Sequence, residues 1–143
     1  MDRLKKGAPT MTLPAPELDN VKFDASLPPM NREQLDMLLM TDDEEETNAL
    51  AKELFEIYES ESREKLKQID GVCAARDAQG LRNIVHFIAG SAGNLGLSRL
   101  SAFYRAIEKT IDEGDFSDFE RCPDCVRREF EESCRLFREE FGI

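Results

Sequence analysis

Hydrophobic residues recur at intervals of three and four positions from residue 31 to the end of the chain. This spacing is typical of amphipathic helices, and no segment shows the sustained alternation of a half-buried strand. The pattern therefore predicts helices and no sheet. Three of the predicted helices span about 32–40, 98–113 and 123–141. Another begins at the acidic run 42–46 and ends at about 68–70, and the helix after it begins between 75 and 79 and ends at about 95.

Capping residues indicate where these helices begin and end. Asn31 is a predicted N-cap, and the acids at 42–46 complement the dipole of the helix that they begin. Ser98 can cap the fourth helix, while Gly71 and Gly96 are expected to end the second and third. The expected buried face of the second helix consists of Leu50, Leu54, Ile57, Leu66 and Ile69, with Phe55 and Tyr58 at its margins.

Four substantial amphipathic helices with short connections predict an all-α fold, an antiparallel up-and-down four-helix bundle with a short additional N-terminal helix. Residues 31–143 form the predicted bundle domain. Residues 1–30 hold five of the six prolines and are expected to be an extended tail, partly packed on the bundle, its second half more firmly than its first.

Composition limits the classes of partner. The chain has 143 residues, enough for one domain with a core, and a net charge of −11. That charge argues against nucleic acid and against anionic membrane surfaces. No apolar run approaches the roughly 20 residues that span a bilayer, and the N-terminus lacks the apolar region of a secretory signal. We therefore expect a cytoplasmic protein.

The only histidine, His86, lies opposite a clean apolar stripe. That stripe consists of Leu81, Ile84, Val85, Ile88, Ala92 and Leu95. The three residues that share the polar side with His86 at i+3, i+4 and i+7 are Ala89, Gly90 and Gly93. Each glycine inside a helix costs about 1 kcal/mol relative to alanine. We therefore predict that this bare surface gives a partner access to the imidazole, a nucleophile at neutral pH.

The stretch from His86 to Gly96 resembles the histidine-containing phosphotransfer (HPt) domains of multi-step two-component relays, whose pattern is H-x-x-K-G-S/A-x-x-x-L-G. The matching positions are His86, Gly90, Ser91, Leu95 and Gly96. Ala89 departs from the pattern, which has lysine there. The resemblance covers about residues 31–141 and implies the same bundle fold.

The resemblance also implies a phosphocarrier rather than an enzyme. His86 would accept a phosphoryl group from the aspartate of a response-regulator receiver domain and pass it to another receiver, with a hybrid histidine kinase upstream. The magnesium ion would belong to the receiver, so we expect no cofactor or metal in this chain. Gly90 and Gly93, with Ala89, would form the docking floor. The transfer modules of this family are often monomers, and no further apolar stripe here demands a dimer.

A transferring phosphoryl group needs a cation nearby, which Ala89 cannot supply. Arg82, at i−4 from His86, is the expected substitute, and Arg99 and Arg105 could reach the rim if their helix turns them that way. Asn83 could hydrogen-bond the imidazole or the phosphate. Phe87 could pack under the N-terminal segment or anchor a partner.

Three alternatives stay open from the sequence. The first is a degenerate HPt-like adaptor that binds receivers or another protein without efficient transfer. The second is a helical adaptor that binds an unrelated partner through its acidic surface. The third is a thiol redox or zinc protein built on Cys122 and Cys125, although neither a βαβ context nor a second close pair of ligands accompanies them.

Overall fold

A computed structural model describes residues 15–40 and 43–143, and this part of the chain is helical with no strand. We number its helices α1 (Arg32–Leu39), α2 (Glu44–Leu66), α3 (Ile69–Ala74), α4 (Ala78–Asn94), α5 (Ser98–Asp112) and α6 (Cys122–Phe141). The four long helices α2, α4, α5 and α6 form the bundle, and α1 is the short additional helix. The predicted fold class is confirmed.

Two of the predicted helix starts form as expected, and one does not. The Asn31 side-chain oxygen accepts a hydrogen bond from the backbone N–H of Glu33 at 3.0 Å, which caps α1. Asp43 caps α2 by accepting from two backbone N–H groups of its first turn. Ser98 is instead the first residue of α5, and its hydroxyl donates to the carbonyl oxygen of Gly96 at 3.2 Å.

The second predicted helix is wrong in its end and in part of its buried face, although Leu66 and Ile69 are buried as predicted. It stops at Leu66, and Gly71 lies inside the separate short helix α3. Ile57 is 56% exposed, whereas Phe55 and Tyr58 are buried. The buried stripe of α2 is Thr47, Ala51, Phe55, Tyr58, Ser62 and Leu66. Two of its six members are polar, so the more hydrophobic neighbouring stripe misled the sequence prediction.

The N-terminal segment crosses the bundle before α1 begins. Leu18 is buried, and the Phe23 ring packs on the Phe103 ring with centroids 5.3 Å apart. Asn20 donates from its side-chain amide to the carbonyl oxygen of Asp115 at 2.9 Å. Residues 1–14, the first half of the predicted tail, lie outside the described residues, as does Asp42 of the acidic run.

A tight connection between α4 and α5 fixes the hairpin that carries His86. Gly96 has a φ of +79°, a left-handed conformation that favours glycine. The Asn31 backbone N–H donates to the Gly96 carbonyl oxygen at 2.6 Å, and a Cβ on Gly96 would overlap the Asn31 carbonyl oxygen. The glycine therefore lets the chain before α1 lie directly on the turn after α4.

Candidate functional site on the α4–α5 hairpin

His86 projects from the outer side of α4. Its side chain is 60% exposed. On the other side of the helix, the apolar stripe is buried, with Leu81, Ile84, Val85, Ile88 and Ala92 each at most 3% exposed. The amphipathic pattern thus orients α4 so that its imidazole faces solvent.

Glu108 of α5 holds the imidazole from the side. Its Oε2 lies 3.0 Å from Nδ1 of His86, and its own side chain is only 13% exposed. An ionised carboxylate only accepts hydrogen bonds, so Nδ1 carries the proton in this contact. In the neutral ring, the lone pair then lies on Nε2. Sequence reasoning missed Glu108 because the contact joins two helices, and no local pattern indicates which acid of α5 faces His86.

Arg82 is engaged by two carboxylates. Its Nε and Nη2 donate to Asp112 at 2.6 and 3.1 Å, and Nη2 lies 2.9 Å from Oε2 of Glu108. The hydrogen bond from Arg82 holds the pKa of the Asp112 carboxyl below its ordinary value. Glu108 therefore bridges Arg82 and His86. The guanidinium fixes the position of the carboxylate, and the carboxylate orients the ring.

Asn83 and Phe87 flank His86 along α4. The Asn83 side-chain oxygen accepts from Nε2 of Gln79 at 2.9 Å rather than from the imidazole. Phe87 is 36% exposed, and Nζ of Lys65 lies over its ring, 4.9 Å from the centroid. Phe87 thus keeps an exposed edge next to His86.

The three small residues after His86 differ in their surroundings, which corrects the expected docking floor. Ala89 is fully buried, because its carbonyl oxygen accepts a hydrogen bond from the Ser101 hydroxyl at 3.1 Å where α5 packs on α4. A Cβ on Gly93 would lie 3.3 Å from the Ser101 hydroxyl oxygen, so Gly93 serves the packing of the two helices. A Cβ on Gly90 would meet nothing within 4 Å. Only Gly90 of the three leaves open space on the outer surface.

The two further arginines suggested by the sequence, Arg99 and Arg105, differ in their burial. Arg99 is buried and forms a bidentate ion pair with Glu129, at 3.0 Å for both hydrogen bonds, so it does not reach the rim of the site. Arg105 is exposed. It lies one turn before Glu108 on α5 and lines a shallow surface groove with it.

The Cys122–Cys125 pair lacks the lowered thiol pKa that redox chemistry requires. Burial raises the pKa of the Cys125 thiol, and the hydrogen bond with Cys73 raises the pKa of Cys122. A reactive thiol has a lowered pKa and is accessible; the hydrogen bond with Cys122 lowers the pKa of Cys73, but that thiol is buried. Among the described residues, no group of three His, Cys, Asp or Glu side chains could hold a metal ion.

The fold and this hairpin define a class of protein: a helical bundle that presents one oriented histidine to solvent. The family model of the Hpt domain matches residues 53–136, more than half of the chain. The chain belongs to the Hpt domain family. This membership makes it an intermediate of phosphotransfer relays.

A solved structure supports the same conclusion. The crystal structure of histidine-containing phosphotransfer protein B (HptB) from Pseudomonas aeruginosa PAO1 is 25% identical in sequence and superposes with a TM-score of 0.65. The match covers 82% of this chain and 97% of that one. No curated protein sequence matches this chain significantly.

The length and composition of the helices also bear on whether any of them could span a membrane. Within the described part of the chain, none of them combines the length and the apolar character that crossing a bilayer requires.

Proposed function

We propose that His86 accepts a phosphoryl group on Nε2 from the aspartyl phosphate of a response-regulator receiver and then donates it to a second receiver. The observation that carries this proposal is the Glu108 contact. It occupies Nδ1 at 3.0 Å and leaves the lone pair of the solvent-exposed imidazole on Nε2.

The imidazole is the only group of this chain that forms or breaks a bond to phosphorus in the proposed transfer. The bond between phosphorus and the aspartate oxygen breaks, and the aspartate leaves as a carboxylate with the electron pair. A bond forms between phosphorus and Nε2 of His86. The Nδ1 proton remains in its hydrogen bond to Glu108, and the carboxylate balances the positive charge that the ring acquires. The second transfer runs the same steps in reverse.

Gly90 and the exposed edge of Phe87 supply the surface on which a receiver would dock. Gly90 lies one turn after His86 and carries no side chain, so a partner's backbone can approach the ring. The resemblance implies that Mg²⁺ and the acidic residues that bind it arrive with the receiver, and that a hybrid histidine kinase lies upstream. We propose that the chain acts as a monomeric carrier rather than as an enzyme.

Arg82 and Glu108 act together as positioning residues in this proposal. Arg82 has the role of holding Glu108 rather than of binding phosphate, since its guanidinium already bridges two carboxylates. The Asn83 oxygen accepts from Gln79, and its amide nitrogen would be the group that donates to a phosphoryl oxygen.

Receiver binding without efficient transfer is a second candidate function. The observation that favours it is the buried Ala89, which leaves this turn of α4 without a cation. The adaptor would keep the docking surface around Gly90 and Phe87 and lose only the chemistry.

The experiment that tests both is incubation with a panel of phosphorylated receiver domains, with the His86→Gln variant beside the wild type. We expect an acid-labile, base-stable label on the wild type alone. Binding of the receivers with no label on either protein would overturn transfer in favour of the docking module. The absence of both label and binding would contradict both candidates.

A further inference from the structure

A phosphoryl group on His86 would be stabilised by a nearby cation, and alanine at position 89 supplies none. The candidates are Lys65 of α2, Arg82 of α4 and the two exposed basic residues of α5, Arg105 and Lys109. Arg82 is engaged by Glu108 and Asp112. Lys65 lies over the Phe87 ring, on the side of α4 that faces α2 rather than α5. Each of these two already has a partner.

The register of the α4–α5 hairpin gives the position of Arg105 relative to His86. Arg82 faces Asp112, and His86 faces Glu108, so four residues forward on α4 correspond to four residues backward on α5. The contact between Gly93 and Ser101 continues the same register. Three residues beyond the His86–Glu108 pair, position 89 of α4 therefore faces Arg105 of α5.

Arg105 also lies on the face of α5 that borders α4. It is three residues before Glu108 and four after Ser101, and both of those residues contact α4 through their side chains. Residues at these spacings share one side of a helix. Unlike Ser101, Arg105 is exposed, so its guanidinium reaches solvent beside the turn that follows His86.

Charge pairing in the groove leaves Arg105 available. The groove that Arg105 lines has a volume of about 430 Å³, and the other lining residues are Glu108, Lys109, Asp112 and Glu113. Glu108 and Asp112 are paired with Arg82, and Glu113 is paired with Lys109 at 3.0 Å. Among the described residues, Arg105 forms neither an ion pair nor a side-chain hydrogen bond.

We infer that Arg105 binds the phosphoryl oxygens of phosphorylated His86 and supplies, from the neighbouring helix, the cation that alanine at position 89 cannot. This inference rests on the proposed function of His86. A guanidinium presents a planar set of N–H donors that matches two oxygens of a phosphate, and it keeps its charge at every physiological pH. Arg105 acts only by attraction, so the bonds that form and break are those already described.

Phosphoramidate as the donor tests Arg105 without a receiver. The bond between phosphorus and the donor nitrogen breaks, ammonia leaves from the protonated nitrogen, and the new bond forms to Nε2. We expect phosphorylation of Arg105→Ala to be slower by roughly tenfold, less than for a buried oxyanion donor because this site is open to solvent. Arg105→Lys should recover part of the rate, and added salt should slow the wild type more than Arg105→Ala.

Lys109→Ala is the matched control, because it removes one positive charge from the same helix and the same groove. We expect its rate to equal that of the wild type. The ³¹P chemical shift of the phosphohistidine in the folded protein adds a readout of the groups that surround the phosphoryl oxygens, and it should change in Arg105→Ala but not in Lys109→Ala. Equal rates and equal ³¹P shifts in wild type and Arg105→Ala would overturn the role of Arg105 while leaving the function of His86 intact. A wild type that phosphoramidate and receivers both fail to label would overturn the function itself, and Arg105 with it.

Discussion

Both ends of α5 carry ion pairs of the same chemistry in opposite environments. Near the start of the helix, Arg99 and Glu129 pair with side chains only 8% and 5% exposed. Near its end, Arg82 bridges Glu108 and Asp112, and the three side chains are 28%, 13% and 50% exposed, respectively. The first pair joins α5 to α6 inside the bundle, and the second joins α5 to α4 on its surface.

The difference separates what each pair does. Removing one partner of a buried pair leaves an uncompensated charge in the core, which costs about 3–5 kcal/mol. Exposed pairs are screened by water and salt and add little to stability. The buried pair therefore fixes how two helices pack. The surface group of charges instead orients the ring of His86, because Glu108 contacts the imidazole and is itself held by Arg82.

Breaking the buried pair should have the largest effect. We expect Arg99→Ala to lower the free energy of unfolding by about 3–5 kcal/mol, since Glu129 would be left buried and unpaired. Urea denaturation measures the change. The double variant Arg99→Met with Glu129→Leu is the control, and it should be far closer to wild type because both charges are removed together. A loss below about 1 kcal/mol for Arg99→Ala would mean that Glu129 reaches water.

Removing Glu108 from the surface group of charges should affect chemistry more than folding, because its partners Arg82 and His86 both reach solvent. We expect Glu108→Ala to slow phosphorylation of His86 by on the order of tenfold, as for other carboxylates that orient an imidazole. The unfolding transition should stay near that of the wild type. Glu108→Gln should retain part of the rate, because its amide oxygen can still accept from Nδ1 but no longer carries the charge that balances the phosphorylated ring.

A ¹⁵N spectrum of the His86 ring gives an independent measurement of the same role. The proton of the neutral ring should reside on Nδ1 in the wild type and be shared between both nitrogens in Glu108→Ala. An unchanged tautomer with an unchanged rate would show that Glu108 is a surface acid of no consequence for His86.

Gly90 should separate folding from docking most clearly. Because a Cβ there meets nothing within 4 Å, Gly90→Ala should raise the free energy of unfolding by about 1 kcal/mol. Transfer from a receiver should become severalfold slower, while phosphorylation by phosphoramidate should not change. Gly71→Ala is the matched control, since Gly71 lies in α3 with the same open space. If both variants transfer at the wild-type rate, receivers do not approach over Gly90.

The sequence predicted which side of each helix at this site faces solvent better than it predicted the contacts between helices. His86 faces solvent because the stripe opposite it is uninterrupted, and Asn31 caps α1 because its partner lies two residues away. Both signals are local. The burial of Ala89 depends on Ser101, twelve residues further along, and the burial of Arg99 on Glu129, thirty residues away. Periodicity places a residue on a side of its helix but does not say which neighbour covers that side.

The error on α2 has the same origin. Ile57 is the more hydrophobic residue, yet Phe55 and Tyr58 face the core because the Phe55 ring stacks on Phe137 of α6, with centroids 4.7 Å apart. Aromatic partners from a distant helix thus decide which of two adjacent stripes is buried. A prediction from one sequence has no access to that choice.

Asp112 should show the smallest effect, and its pH dependence sharpens the contrast with the buried pair. Arg82 holds the pKa of Asp112 below its ordinary 3.8, so the contribution of this ion pair is complete above that value and disappears as the pH falls through the lower, folded-state pKa. We expect Asp112→Asn to differ slightly and constantly from wild type between about pH 5 and 8, and the two to converge in acid. Thermal denaturation at low salt measures this.

The same variant also tests how firmly Glu108 is held. Arg82 has a separate 2.9 Å contact with Glu108, so we expect the rate of His86 phosphorylation in Asp112→Asn to stay within about twofold of wild type. Arg82→Ala removes the bridge altogether and should slow the reaction more than Asp112→Asn does. If Asp112→Asn were as slow as Glu108→Ala, the position of Glu108 would depend on the whole surface group of charges. The exposed end of α5 would then be as tightly determined as its buried end.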